Sequence, residues 1–184
     1  MPLATPVTIA DISGTLKTRL EEWAGPRGGQ VTVMANQRHL WEALTALPDP
    51  SQLAPRLMIL YAGETLMLPD QPDCHRVDRS WQVVVVRGRG FADLRDPMSG
   101  GVKEPFTTSL EAVRDLIRTT DNISDFEAYP SVLYKGMKPL PGVLKSPEAN
   151  AFMDGMVVEF NTLNDIPAVT DVAPGTEGLT GGEL

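Results

Sequence analysis

The stretch Ser80-Trp81-Gln82-Val83-Val84-Val85-Val86-Arg87 carries the strongest structural signal in the chain. Valine has a restricted χ1 angle and packs well on a pleated surface, so four consecutive valines predict a β-strand. We therefore place this strand centrally in a sheet.

The flanking sequence supplies further strands and helices around this one. The run 56–63 is short, apolar and ended by glycine, which favours a strand buried on both faces. Hydrophobic periodicity predicts three helices, which are one at 8–23 capped by Thr8, one opened by Asn36, and one at 109–119 with a Thr108/Glu111 capping box. It also predicts a short strand at 31–33 and strands at 129–134 and 153–163. This order predicts an α+β domain with a mostly antiparallel sheet and helices packed on one face.

Composition limits the class of protein. The chain has 184 residues, a net charge of −8 and one cysteine, Cys74, which excludes an internal disulfide and a cysteine-rich zinc site. The first twenty residues lack the apolar run of a signal peptide, and no run of about twenty apolar residues occurs anywhere. We expect a soluble protein that is made in the cytoplasm and has no membrane partner.

The end of the chain is acidic. From Glu148 onward there are seven acidic residues and no lysine or arginine. Residues 164–184 also lack a periodic apolar stripe, so we expect a single domain at 1–163 and a flexible or arm-like tail at 164–184. In an assembly, Ile166, Val169 and Val172 would anchor this tail as an extended arm over a neighbouring subunit.

Residues for catalysis are scarce. His39 and His75 are the only imidazoles, and His39 falls on the exposed side of a predicted helix. The pair Cys74-His75 lies among Asp70, Asp73 and Asp78, a composition that is read either as a metal site or as a solvated acidic loop. Phosphate-binding and metalloprotease motifs are missing. The sequence predicts no catalytic residue, no cofactor and no metal ion, and a small α+β enzyme using Asp and Arg residues is the competing class.

A local cluster of five arginines, at 76, 79, 87, 89 and 95, has three interpretations. These are nucleic-acid contact, a solvated strand face, and an interface with acidic residues of another subunit. The acidic net charge argues against nucleic acid. We take the subunit interface, with the candidate residues Arg87, Arg89, Arg95, Glu159 and Asp165.

The glycine-rich stretch 88–105 predicts a long loop. We expect it to become ordered on docking, through Phe91, Asp93, Arg95, Met98 and Lys103, and the alternative is an ordinary mobile surface loop.

The order of elements resembles the tail-terminator, or tail-completion, proteins of long-tailed bacteriophages. The resemblance spans about residues 5–163. It lies in the amphipathic first helix and in the segments PRLMILYAG (55–63), RSWQVVVVR (79–87), SLEAVRDLI (109–117) and FMDGMVVEF (152–160).

The resemblance implies a noncatalytic virion protein. Such a subunit forms a homohexameric ring at the head-proximal end of the tail, stops polymerisation of the tail tube protein, and joins the head-completion or stopper proteins. Another head-tail connector or neck protein is the alternative within the same class. The acidic tail and the long loop before the third helix depart from the family pattern.

Overall fold

A computed structural model describes six segments of the chain, which are residues 7–45, 54–68, 74–88, 106–125, 132–140 and 153–167. They contain three helices, α1 (Ile9–Ala24), α2 (Gln37–Thr45) and α3 (Phe106–Arg118), and a 3-10 turn at Gly25–Arg27. The five strands are β1 (Gln30–Met34), β2 (Arg56–Leu68), β3 (Cys74–Gly88), β4 (Leu133–Pro139) and β5 (Met153–Pro167).

The strands form one sheet in the order β1-β2-β3-β5-β4. The valine-rich strand β3 lies at the centre, as predicted, between β2 and β5. Only the β1–β2 pair is parallel, and the other pairs are antiparallel. The predicted α+β class with a mostly antiparallel sheet is therefore confirmed.

Helices α1 and α3 cover one face of the sheet. Leu16 and Leu20 of α1 and Val113 of α3 are buried against Val83 and Val85 of β3. On the same face the Trp81 ring lies 6.5 Å from the Phe160 ring and nearly parallel to it. Burial of these aromatic rings and aliphatic chains supplies the main hydrophobic stabilisation of the fold.

Helix α2 covers the opposite face, which corrects the expectation that the helices share one face. Leu40 and Leu44 of α2 pack in a second cluster that includes Leu60, Val84 and Val86. Successive side chains of a strand point to opposite faces, so the four valines of β3 place two on each side of the sheet. Both faces therefore require an apolar cover.

Several strands are longer than predicted or shifted along the chain. β2 continues beyond residue 63 to Leu68, and β3 begins at Cys74. β4 occupies 133–139 and therefore ends five residues beyond the strand predicted at 129–134. The additional residues are a mixture of polar and apolar types, and they pair with residues of the neighbouring strands.

The two predicted helix caps differ in outcome. Thr8 caps α1, and its hydroxyl accepts a hydrogen bond from the Asp11 backbone N–H while the Asp11 carboxylate accepts one from the Thr8 N–H. The Thr108/Glu111 box is wrong, because α3 already begins at Phe106 and Thr108 lies inside its first turn.

The predicted boundary between Leu163 and Asn164 is also wrong. β5 continues to Pro167, and Asn164 is fully buried. Its side-chain amide donates hydrogen bonds to the Ile123 carbonyl and to the Asp125 carboxylate. Sequence reasoning interpreted these polar residues as a tail because hydrogen bonds, which leave no periodic signal, hold them in place. The remainder of the predicted tail, 168–184, lies outside the described residues.

None of the described helices is long and apolar enough to cross a membrane.

Candidate interaction surface

Arg87, the first predicted interface residue, lies inside the domain. It is only 8% exposed and belongs to the face of β3 that α3 covers. Its guanidinium carbon lies 5.2 Å from the centre of the Phe106 ring, and Nη1 is 3.5 Å from the Ser109 hydroxyl of α3. Its role as a subunit contact is therefore corrected: Arg87 joins β3 to α3.

Two other arginines of the cluster also have partners within the chain. Arg79 is 6% exposed, forms an ion pair with Glu64 at 3.2 Å, and donates to the Val7 carbonyl at 2.8 Å. Arg76 forms an ion pair with Asp165 at 3.0 Å. Arg76 and Arg79 are therefore not part of a solvated strand face. Their guanidinium groups contact Asp165 of β5, Glu64 of β2 and the Val7 carbonyl before α1.

The pKa of Tyr61 responds to its burial and to Glu64, the ion-pair partner of Arg79. Burial, followed by a hydrogen bond with Glu64, raises the pKa of the Tyr61 phenol. The phenol therefore stays protonated near neutral pH, and its ring packs at 5.3 Å from that of Trp81.

The predicted acidic interface residues face the α2 side of the sheet. Glu159 accepts a hydrogen bond from the Gln82 side chain at 2.9 Å and forms an ion pair with Lys138 of β4. Asp165 pairs with Arg76 near the end of the β3–β5 ladder. Both carboxylates are largely compensated within the domain.

The structure does not bring the predicted interface set together. Arg87 lies opposite Asp154 at one end of the β3–β5 ladder, and Asp165 lies opposite Arg76 near the other. Arg87 and Asp165 also occupy opposite faces of the sheet. Arg89 and Arg95, and the docking-loop residues Phe91, Asp93, Met98 and Lys103, lie outside the described residues.

Asp125 is a structural residue that sequence reasoning missed. Its carboxylate accepts hydrogen bonds from the backbone N–H groups of Val7 and Asp165 and from the Asn164 amide. It therefore ties the start of the chain and the segment after α3 to the end of β5. Only its position in the polar segment after α3, where loops often supply backbone caps, hinted at such a role.

The metal hypothesis for the 70–78 region gains no geometric support. Cys74 and His75 are the first two residues of β3 and are therefore not in a loop. Among the described residues, no group of three His, Cys, Asp or Glu side chains is placed to hold a metal ion. Asp70 and Asp73 lie outside those residues.

The most distinctive surface is a groove between the C-terminal half of α3 and the edge strand β4, which we call the α3–β4 groove. It is open and has a volume of about 790 Å³. Its lining combines charged, hydroxyl and apolar side chains, which are Asp115, Arg118, Thr119, Val132, Leu133, Tyr134 and Lys135.

The charge of the α3–β4 groove is basic. Among the described residues that line the groove, Arg118 and Lys135 outnumber the acid Asp115, and Arg114 adjoins them with its Nε 2.9 Å from the Asp115 carboxylate. The hydrogen bond from Arg114 lowers the pKa of Asp115, so Asp115 stays ionised and is neutralised by that arginine. The lining therefore retains an excess of positive charge from Arg118 and Lys135.

Strand β4 forms one edge of the sheet in the described part of the chain. The Leu140 N–H, just after β4, donates to the Gly155 carbonyl of β5. Because backbone groups alternate in direction along a strand, those of Met137 and Pro139 point away from β5. Pro139, which has no N–H, fits such an edge position.

No protein-family model and no curated protein matches this chain.

Proposed function

We propose that this protein is a noncatalytic structural subunit of a bacteriophage virion that closes the head-proximal end of the tail tube as a ring. The ring would stop polymerisation of the tail tube protein and present its other side to a head-completion or stopper protein. The resemblance in element order suggests this role, and the α+β fold is compatible with it.

The single observation that carries the proposal is that one chain combines a basic groove with an acidic stretch of sequence. A closed ring needs heterologous contacts, in which one surface of each subunit meets a different surface of its neighbour. The α3–β4 groove is basic, whereas residues 168–184 contain three acids and no lysine or arginine. Complementary charge of this kind gives register and specificity to a contact.

The acidic residues Glu159 and Asp165 of β5 are less suited to a contact between subunits. Glu159 and Asp165 are engaged by Lys138 and Arg76 of the same chain. The intermolecular contact that we first assigned to the arginine-rich strand is therefore moved to the α3–β4 groove.

Mass measurement of the purified full chain, combined with electron microscopy, tests the proposal. We expect closed rings with sixfold symmetry that bind the end of a tail tube and halt its growth in a polymerisation assay. A protein that remains monomeric at high concentration and leaves tube length unchanged would overturn the proposed function. An open connector that binds the head but not the tube would favour the alternative of a neck protein.

A further inference from the structure

We propose that residues 168–173 of one copy add as a β-strand to β4 of a neighbouring copy, at the edge that β4 forms in the described part of the sheet, beside the α3–β4 groove. The segment reads Ala168-Val169-Thr170-Asp171-Val172-Ala173. The inference rests on the proposed function in taking a second copy of this chain as the partner, and it specifies the contact that would build the ring.

The receiving surface has the features of a strand-addition site. Such sites combine an exposed sheet edge, which supplies main-chain hydrogen bonds, with an adjacent groove that receives alternate side chains. Here β4 supplies the edge, and α3 with Val132, Leu133 and Tyr134 forms the groove. Tyr134 is 37% exposed, so apolar surface is available to an incoming side chain.

The proposed strand has a matching length and composition. Val169, Thr170 and Val172 have high β-propensity, and Pro174 ends the segment after six residues. Six extended residues span about 20 Å, which is close to the length of the seven-residue strand β4.

Charge selects the partner. Lysine on an edge strand discourages pairing with an uncharged strand, and β4 carries Lys135 and Lys138. An acidic strand avoids this penalty, because Asp171 would approach Lys135 and the Arg118 side chain on the opposite wall of the groove. Arg118 is 57% exposed, and its contact with Asp115 is long, at 4.0 Å, so it is able to turn toward a new acid.

The register of the sheet directs the segment to another copy. β5 ends at Pro167, whereas Leu133, the first residue of β4, lies beside Asn161. The six intervening residues of β5 span about 20 Å. Within one chain, residues 168–173 would have to run back over this distance to reach the level of Leu133. The glycine-rich residues 175–184, and not residues 168–173, would then lie beside the groove. Because residue 168 follows Pro167 directly, the β4 edge of the neighbouring copy would have to lie close to the end of β5.

A charge-swap experiment on the full chain tests the contact. The groove variant Arg118→Glu/Lys135→Glu and the tail variant Asp171→Lys/Glu177→Lys are each expected to weaken self-association at least about tenfold, because each sets like charges against one another. The combined four-site variant, and a mixture of the two double variants, are expected to recover association. All six forms are compared by sedimentation velocity at low and high salt, including wild type and the control Lys17→Glu/Arg38→Glu.

The control removes two exposed bases that form ion pairs within their own helices, at 45% and 85% side-chain exposure, and it is expected to associate like wild type. Closed assemblies that persist unchanged in both double variants would overturn the strand addition while leaving the ring proposal intact. Open chains in place of rings, abolished by either double variant and restored by the swap, would support the strand addition and overturn the ring. A salt-sensitive change that the swap restores within a strict monomer would show docking within one chain and would overturn the transfer between copies.

Discussion

Arginine illustrates how a single residue type takes opposite roles in this protein. Arg79 and Arg87 are nearly buried, and each connects the sheet to another part of the domain. Arg118, in contrast, lies half-exposed on the wall of a groove. Local charge density places both in the arginine cluster and predicts Arg87 as an interface residue, but accessibility and the nearest acceptor decide the role.

Replacement of Arg87 by glutamate is expected to destabilise the monomer rather than a subunit contact. A carboxylate at this position would be buried against the Phe106 ring and the Ser109 hydroxyl of α3. We expect a loss of about 2 to 4 kcal/mol in the free energy of unfolding, measured by urea denaturation.

The matched control is Arg38→Glu, whose side chain is 85% exposed, and it should change stability by less than about 0.5 kcal/mol. Equal stability of Arg87→Glu and wild type would show that Arg87 does not join β3 to α3.

Among the secondary-structure elements, α1 depends most clearly on its first turn. Thr8 and Asp11 exchange hydrogen bonds between side chain and backbone, which satisfies N–H groups that have no partner within the helix. The residue before the cap, Val7, donates its backbone N–H to the carboxylate of Asp125, which lies in the segment after α3.

The cap makes α1 sensitive to acid. Hydrogen bonds from the Thr8 side chain and then from its backbone lower the pKa of Asp11. Because the folded pKa is depressed, the carboxylate contributes stability above its ordinary pKa, and this contribution is lost as the pH falls through the folded value. We expect Thr8→Ala to raise the pKa of Asp11 toward its ordinary value, measured by NMR titration of the carboxyl carbon, and to cost about 1 kcal/mol in stability.

Thr8→Ser keeps the hydroxyl that donates to the Asp11 carboxylate, so it serves as the control, with a pKa of Asp11 close to that of wild type. A Thr8→Ala variant whose Asp11 titrates as in wild type would mean that the cap does not lower this pKa.

For the molecule as a whole, the end of β5 is part of the folding unit. The Trp81 indole donates to Thr162, the Thr162 hydroxyl donates to Asn164, and Asn164 donates onward to Ile123 and Asp125. This chain of buried hydrogen bonds links the central strand to the segment after α3. Removing one of these side chains leaves buried hydrogen-bond acceptors without donors. This lowers the free energy of unfolding more than the loss of a hydrogen bond at an exposed position does.

Two truncations separate the strand from the residues that follow it. A chain ending at Leu163 is expected to lose about 3 kcal/mol or more, because it removes the hydrogen bonds of Asn164 and the Asp165–Arg76 ion pair. Its melting temperature should fall by about 6 to 12 °C in a calorimetric scan. A chain ending at Pro167 keeps these contacts and should melt at a higher temperature than the chain ending at Leu163. Equal melting of both truncations would contradict the role of Asn164.

The spacing of residues along the chain is enough to predict the parts of the fold that rest on local apolar patterns. The four valines of β3 predicted the central strand, and the stripes of α1 and α3 predicted two helices, because these signals depend only on spacing along the chain. The acidic composition from Glu148 onward also follows directly from the sequence.

Contacts between distant elements set which face each helix covers, where β3 and β5 begin and end, and which charges remain accessible. Asn164 belongs to a strand, and Arg87 to the interior, because residues far away in sequence supply their partners. The α3–β4 groove likewise arises where α3 packs beside β4. Such contacts depend on distances between elements, which a linear pattern of residues does not contain.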